Sequence, residues 1–392
     1  MITIKRYVGV CLFSFLVFLP TAQAELTQQE QLGKFLFFDE TLSEPDGQSC
    51  ASCHTPDAGF ADPDTYLPVS EGVIPGLFGD RNSPAAAYAS FFPDFSYHNG
   101  VAIGGQFWDG RAANVVEQAK GPFLNPVEMA NPDKETVIRD ILLSDYRDLF
   151  EEICGITDDV DAAYDCTAEA IGAYEGSSEV NTFTSKFDYV MAGEAQFTRQ
   201  ERRGMMLFNR KALCAQCHTA GRMMGMGRGG RGGNNSGPVL FTDFRYHNLG
   251  LPKNTEYPYD QFEEKTDLGL GGFLNDASQN GKFKTPHLRN IALTPPYMHN
   301  GVLKTLKDVV HFYNTRDVSD QWDAPEVSDN MEQRLLGNLG LSDAEEDAIV
   351  AFMMTFTDGY VPEDNVDTGN GGNGNGNGRG GRGNGPRFHG GR

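Results

Sequence analysis

The sequence predicts a mainly α-helical protein of two tandem domains. Two motifs of one form, Cys50-Ala51-Ser52-Cys53-His54 and Cys214-Ala215-Gln216-Cys217-His218, fall in successive halves of the chain. Similar openings precede them. Leu26-Thr27-Gln28-Gln29-Glu30 leads into Gly33-Lys34-Phe35-Leu36-Phe37, and Phe197-Thr198-Arg199-Gln200-Glu201 leads into Gly204-Met205-Met206-Leu207-Phe208. In both, Thr as N-cap with Glu three residues later is the reciprocal cap that starts a helix. The stretches between helices are rich in Gly, Pro and Asn, so little sheet is expected. C-x-x-C-H attaches c-type haem: the cysteines form thioethers and the His is held on the iron. The halves therefore read as two cytochrome c-like domains, each with one covalent haem c, held by Cys50, Cys53 and His54 and by Cys214, Cys217 and His218. A zinc site would need further ligands to complete each Cys pair.

Taken in order, residues 1–24 read as a signal peptide. Lys5 and Arg6 precede the apolar stretch Val8 to Pro20, and Ala22-Gln23-Ala24 is a cleavage site. An uncleaved anchor is the alternative, but the apolar run is short for a membrane span. Residues 25–190 form the first domain, in which Asn131-Pro132 is expected to open a helix with Pro at its first position. Residues 191–362 form the second, closed by a helix that Ser342-Asp343-Ala344-Glu345 caps and that runs through Ala351, Phe352 and Met353. Residues 363–392 read as a disordered Gly/Asn/Arg tail. The loop Arg222 to Asn235 carries Met223, Met224 and Met226. These could bind soft Cu(I), though a Gly-rich stretch imposes no geometry.

The net charge of −22 excludes nucleic acid as a partner, since phosphates demand a basic face. It fits a soluble periplasmic protein and would steer a basic redox partner, with an acidic surface that serves solubility alone as the alternative. No segment after the signal is long and apolar enough to span a membrane. Cys154 and Cys166 lie outside both haem motifs. In an oxidising compartment they are expected to form a local disulfide joining two helices, with two free thiols as the alternative.

A longer string carries a resemblance. Arg81-Asn82-Ser83-Pro84 is followed by Gln106-Phe107-Trp108-Asp109-Gly110-Arg111-Ala112, then Gln118, Gly121-Pro122 and Asn125-Pro126-Val127-Glu128-Met129. Phe283-Lys284-Thr285-Pro286-His287-Leu288-Arg289-Asn290 and Leu293-Thr294-Pro295-Pro296-Tyr297-Met298-His299-Asn300-Gly301 continue it. This string resembles the bacterial di-haem cytochrome c peroxidases over nearly the whole mature chain, except the tail, the Met/Gly loop and an insertion before Trp108. The resemblance implies that hydrogen peroxide reacts at the first haem, that the second receives electrons, and that Trp108 relays charge between them. It places Gln118 and Glu128 in the peroxide pocket and gives Pro122 control of access. A carboxylate there suits the proton transfer that O–O cleavage needs. It also implies one Ca²⁺ between the domains, held by the Asn82 side chain and the carbonyls of Thr294 and Pro296.

Two departures narrow the expectation. The usual distal His after the first motif is missing. His98, in the insertion, is the one histidine between His54 and Trp108. The first iron is therefore expected to lack a protein sixth ligand, with His98 as the alternative. At the second haem, Tyr313 stands where most of the family has Met, as in the MauG-like branch. A phenolate is a hard donor that favours oxidised iron, and Met298 or His299 are the alternative ligands. His247 is expected to be structural or to bind a propionate. His287 and His311 read as packing or surface residues, and His389 as part of the tail. The implied partners are peroxide and either an electron-donating redox protein or a secreted protein whose side chains are oxidised. An electron carrier without peroxide chemistry is the rival class.

Overall fold

The computed structural model describes residues 25–155, 158–220, 238–262 and 265–362. The expected signal peptide, the Met/Gly/Arg loop and the tail with His389 lie outside them.

Both expected capping boxes form. Thr27 and Glu30 start α1 (Gln28–Phe38), and Thr198 and Glu201 start α8 (Arg199–Asn209). Each of these helices crosses a later one where a glycine removes the side chain. A Cβ at Gly33 would overlap the Ala170 carbonyl on α6 (Val160–Gly176), and one at Gly204 would overlap the Ala348 carbonyl on α11 (Asp343–Met354). The internal echo is therefore a repeated helix crossing. Ser342 and Glu345 box the start of α11 as expected.

Between these pairs lie α2 (Cys50–Cys53), α3 (Val115–Leu124), α4 (Lys134–Leu143), α5 (Arg147–Cys154), α7 (Lys186–Ala192), α9 (Leu270–Leu274) and α10 (Leu306–Thr315). Pro132 does not open α4. Asp133 is its N-cap and accepts from the Thr136 amide, while buried Asn131 donates to the carbonyls of Leu42 and Phe123. Cys154 ends α5, and a disulfide joins it to Cys166 in the second turn of α6.

Sheet among the described residues amounts to two antiparallel pairs. β1 (Ser96–His98) and β2 (Val101–Ile103) form the hairpin of the insertion, and β3 (Tyr246–His247) pairs with β4 (Phe283–Lys284). The hairpin packs on the second half: Ala102 clusters with Tyr246 and Leu270, and the Tyr97 hydroxyl donates to Asp276.

Two hydrophobic cores result. Leu36, Phe37, Phe123, Ile141 and Ile171 centre the first, and Phe208, Phe241, Phe312, Phe352 and Phe356 the second. Phe187 of α7 already belongs to the second core, and Leu240 reaches back into the first. No helix of the described residues is long and apolar enough to cross a membrane.

Candidate active site

The two motifs are held in the same way. His54 caps the end of α2 and its Nδ1 lies 3.2 Å from the Phe60 carbonyl. His218 follows a single turn at Cys214–Gln216, with Nδ1 3.0 Å from the Phe241 carbonyl. Both phenylalanines adopt left-handed backbone, with φ 61° and 59°. An Nδ1–H donated to a carbonyl fixes the tautomer and leaves Nε2 as the metal donor. Burial lowers the pKa of both imidazoles, which keeps them neutral as ligands must be. The four motif cysteines are unpaired, and burial pushes the Cys50, Cys53 and Cys214 thiols up to about 12.

One cavity contains Cys214, Cys217, His218 and Tyr313, and extends past Trp108 to Ser83. Ser83 Oγ lies 3.4 Å from the His54 ring, so this space connects the surroundings of both histidines. Trp108 is clamped there. Its Nε1 donates to the Asn82 carbonyl at 2.7 Å, its own carbonyl accepts from the Lys284 amide, and its ring meets His299 edge-on. His299 in turn stacks on Phe283 with centroids 3.5 Å apart. Arg81 ties the halves together through Asp109 at 2.6 Å and Asp267 at 2.7 Å. Burial opposes its charge, but the bonds to these carboxylates hold it protonated.

Tyr313 is carried by α10. Burial raises its hydroxyl pKa, and the sulfurs of Cys217 and Cys214 add to the shift. Met298 and His299 line the same cavity, but the charges acting on the His299 ring are those of Asp267 and Arg81. Asn82, Thr294 and Pro296 also meet in this cavity.

A second pocket holds Glu128 with Phe107, Arg111, Gly121, Leu124 and Asn125. Burial raises the Glu128 carboxyl, against the pull of the Arg111 charge and a bond from Asn125. Glu128 acts electrostatically on both Cys50 and Cys53, which puts this pocket beside the first motif. Arg111 lies 3.6 Å over the Phe107 ring and pairs with Asp109. Gln118 and Pro122 stand one turn apart on α3, half-buried, but do not line the pocket with Glu128. Pro122 has no N–H to give the Gln118 carbonyl, and α3 ends two residues later. His98 is exposed at the end of β1.

Sequence reasoning assigned no role to several of these residues. Arg111 and Asp109 sat unremarked inside a quoted motif. Arg81 likewise stood in a quoted motif without a role, while Asp267 and the two phenylalanine carbonyls carried no signal. His247 pairs with Asp243 at 3.1 Å beside Cys217. Burial opposes its charge, but the carboxylate and the Cys217 sulfur lift its pKa to about 10.

These features define a redox enzyme with paired haem sites, and the comparisons agree. Residues 27–196 match the family model described as di-haem cytochrome c peroxidase. The chain is 40% identical over 357 residues to the methylamine utilization protein MauG of Paracoccus denitrificans, covering 83% of this chain and 88% of that protein. It is 32% identical to the cytochrome c551 peroxidase of Pseudomonas aeruginosa, over 78% of this chain and 76% of that one. Its fold is similar to the crystal structure of the diheme peroxidase BthA from Burkholderia thailandensis, with a TM-score of 0.74 and 31% identity over 88% of each chain. The chain belongs to the MauG-like di-haem cytochrome c peroxidase family and is an oxidoreductase with two haem c groups.

The residues present fit those groups. His287 Nδ1 and His299 Nε2, both in the shared cavity, are buried without a hydrogen-bond partner. Gln48 Oε1 is likewise orphaned, on a side chain whose amide nitrogen approaches Cys53 Sγ. Buried polar atoms left this way are costly unless a bound group or water meets them.

Proposed function

We propose that this chain is a periplasmic peroxidase of MauG type. It reduces hydrogen peroxide beside Glu128 and draws electrons past Trp108 and Tyr313 from a partner protein, whose side chains it oxidises. The observation that carries this reading is Tyr313, half-buried on α10 in the cavity of His218, with its hydroxyl under the influence of Cys214 and Cys217.

Cys50, Cys53 and His54 would hold one haem, and Cys214, Cys217, His218 and Tyr313 the other. When bound, the haems supply the iron that binds peroxide and passes electrons. Glu128 takes a proton from the inner peroxide oxygen and returns it to the outer one. Its raised pKa suits this exchange, and Arg111 keeps the carboxylate form from becoming too unfavourable. Gly121 and Leu124 of α3 line the pocket with Glu128, and the resemblance gives Pro122 and Gln118, on the same helix, the tasks of limiting access and orienting peroxide or water. Trp108 passes the electron. Its N–H is committed to a carbonyl, which is no base, so the indole keeps its proton. Arg81, tied to Asp109 and Asp267, fixes the two halves around it. Ca²⁺ between Asn82, Thr294 and Pro296 would stiffen the same junction: the Asn82 amide nitrogen donates to Pro68, which leaves its oxygen for a hard cation. Cleavage of residues 1–24 would deliver the enzyme to the periplasm.

The likeness to the cytochrome c551 peroxidase favours a second reading, in which a small cytochrome or copper protein donates the electrons. Ferric-state EPR of the holoenzyme tests the peroxide site common to both. One high-spin and one low-spin signal are expected, with the high-spin signal changing on addition of peroxide. Two low-spin signals indifferent to peroxide would leave an electron carrier.

A further inference from the structure

The chain has two tryptophans, and the proposed mechanism uses one. The other, Trp322, is half-buried on the segment after α10 and packs edge-on against Phe312 with centroids 5.2 Å apart. Phe312 is fully buried and meets the ring of its neighbour Tyr313 edge-on at 6.3 Å. A line of packed rings therefore runs from Tyr313 to the surface. Electronic coupling falls steeply across gaps, so packed rings carry an electron better than solvent does. The indole proton is held: Nε1 donates to Thr315 Oγ1 at 3.0 Å, and that hydroxyl donates to the His311 carbonyl at 2.7 Å. The acceptor is a hydroxyl, not the His311 imidazole that packs 6.0 Å from the indole, so Trp322 can lose and regain an electron without losing its proton.

The surface around Trp322 is suited to a protein partner. Val318 is 60% exposed, and Asp317, Asp320 and Asp323 are exposed beside it. Between Arg316 and Arg334 the chain has no Lys or Arg; Asp317 is paired with Arg316 and Glu326 lines the inner cavity, so the exposed unpaired rim is Asp320, Asp323 and Asp329. An aromatic anchor with an apolar neighbour and a rim of one charge is a pattern of docking sites that steer an oppositely charged partner.

We infer that Trp322 is the electron entry point of the Tyr313 side, and that its acidic rim docks a protein with a basic face around its oxidisable group. This rests on the proposed peroxide reaction. That reaction consumes two electrons and two protons per peroxide and yields two waters. Each electron leaves the partner, which is oxidised by one equivalent, and fills the vacancy on Trp322 left when the indole gave one electron inward.

The test uses holoenzyme with a basic ferrocytochrome c as probe, comparing wild type, Trp322→Phe and Asp320→Lys/Asp323→Lys. The haem spectrum is read first with peroxide alone, and a wild type that does not respond overturns the peroxide reading and the relay with it. Given a response, Trp322→Phe is expected to keep the peroxide rate and lose about tenfold or more in cytochrome oxidation. The double variant is expected to weaken cytochrome binding in calorimetry and to flatten its salt dependence. Mass spectrometry after peroxide without donor is expected to find oxidation products at Trp322. Unchanged cytochrome oxidation in Trp322→Phe overturns the relay. Unchanged binding in the double variant, or no binding of the probe to wild type at low salt, overturns the docking site.

Discussion

Individual residues decide what each iron would do. Replacing Tyr313 by Met substitutes a soft thioether for a hard oxygen donor, so the potential of the second haem is expected to rise and its visible spectrum to change; spectroelectrochemistry reads both. A second consequence concerns Glu175, buried on α6, whose carboxyl burial pushes up to about 8 from an ordinary 4.5. The folded chain therefore holds this proton more tightly than the unfolded one. The resulting stability is fully present below the unfolded pKa and is lost as pH rises through the folded value. Melting temperature is expected to fall between about pH 5 and about pH 9 in wild type, and to fall less in Glu175→Gln. At this scale the two haem c groups were legible because C-x-x-C-H is a local pattern. Glu175 was not, because its character comes from what surrounds it. Nor were the carbonyl partners of the two histidines: Phe60 lies 6 residues after His54 but Phe241 lies 23 after His218, so spacing hid a shared geometry.

Helices carry the repeat. The capping boxes of α1, α8 and α11 were readable because each is decided within one turn. The start of α4 was misread because Asp133 outcompetes Pro132: a side-chain acceptor caps a helix, and a proline only tolerates its first turn. The crossings at Gly33 and Gly204 were invisible, since the carbonyls they meet lie far along the chain. Gly33→Ala and Gly204→Ala are each expected to destabilise by ~1–3 kcal/mol through overpacking. Denaturant titration checks this, and a neutral effect would mean the helix pairs can slide apart without loss.

For the whole molecule, the junction of the halves matters most. Trp108 is gripped by Asn82 from one half and Lys284 from the other, with Arg81 bridging Asp109 and Asp267. Trp108→Phe is expected to slow partner oxidation by about tenfold or more while peroxide binding changes little. Single-turnover kinetics with and without the partner separates the two, and equal effects would argue against a relay. The tandem plan was foreseen from the repeated motifs. That Phe187 joins the second core and the β1–β2 hairpin leans on the second half depends on long-range packing that no local pattern encodes.

His54 and His218 lean on matching left-handed phenylalanines, Phe60 and Phe241. The shared mount therefore sets no difference between the two metals; that falls to the opposite faces and to neighbours found at one site, Ser83 at His54 and the His247–Asp243 pair beside Cys217. Transplanting those faces between the halves is the shortest engineering route to reversing which metal meets the oxidant.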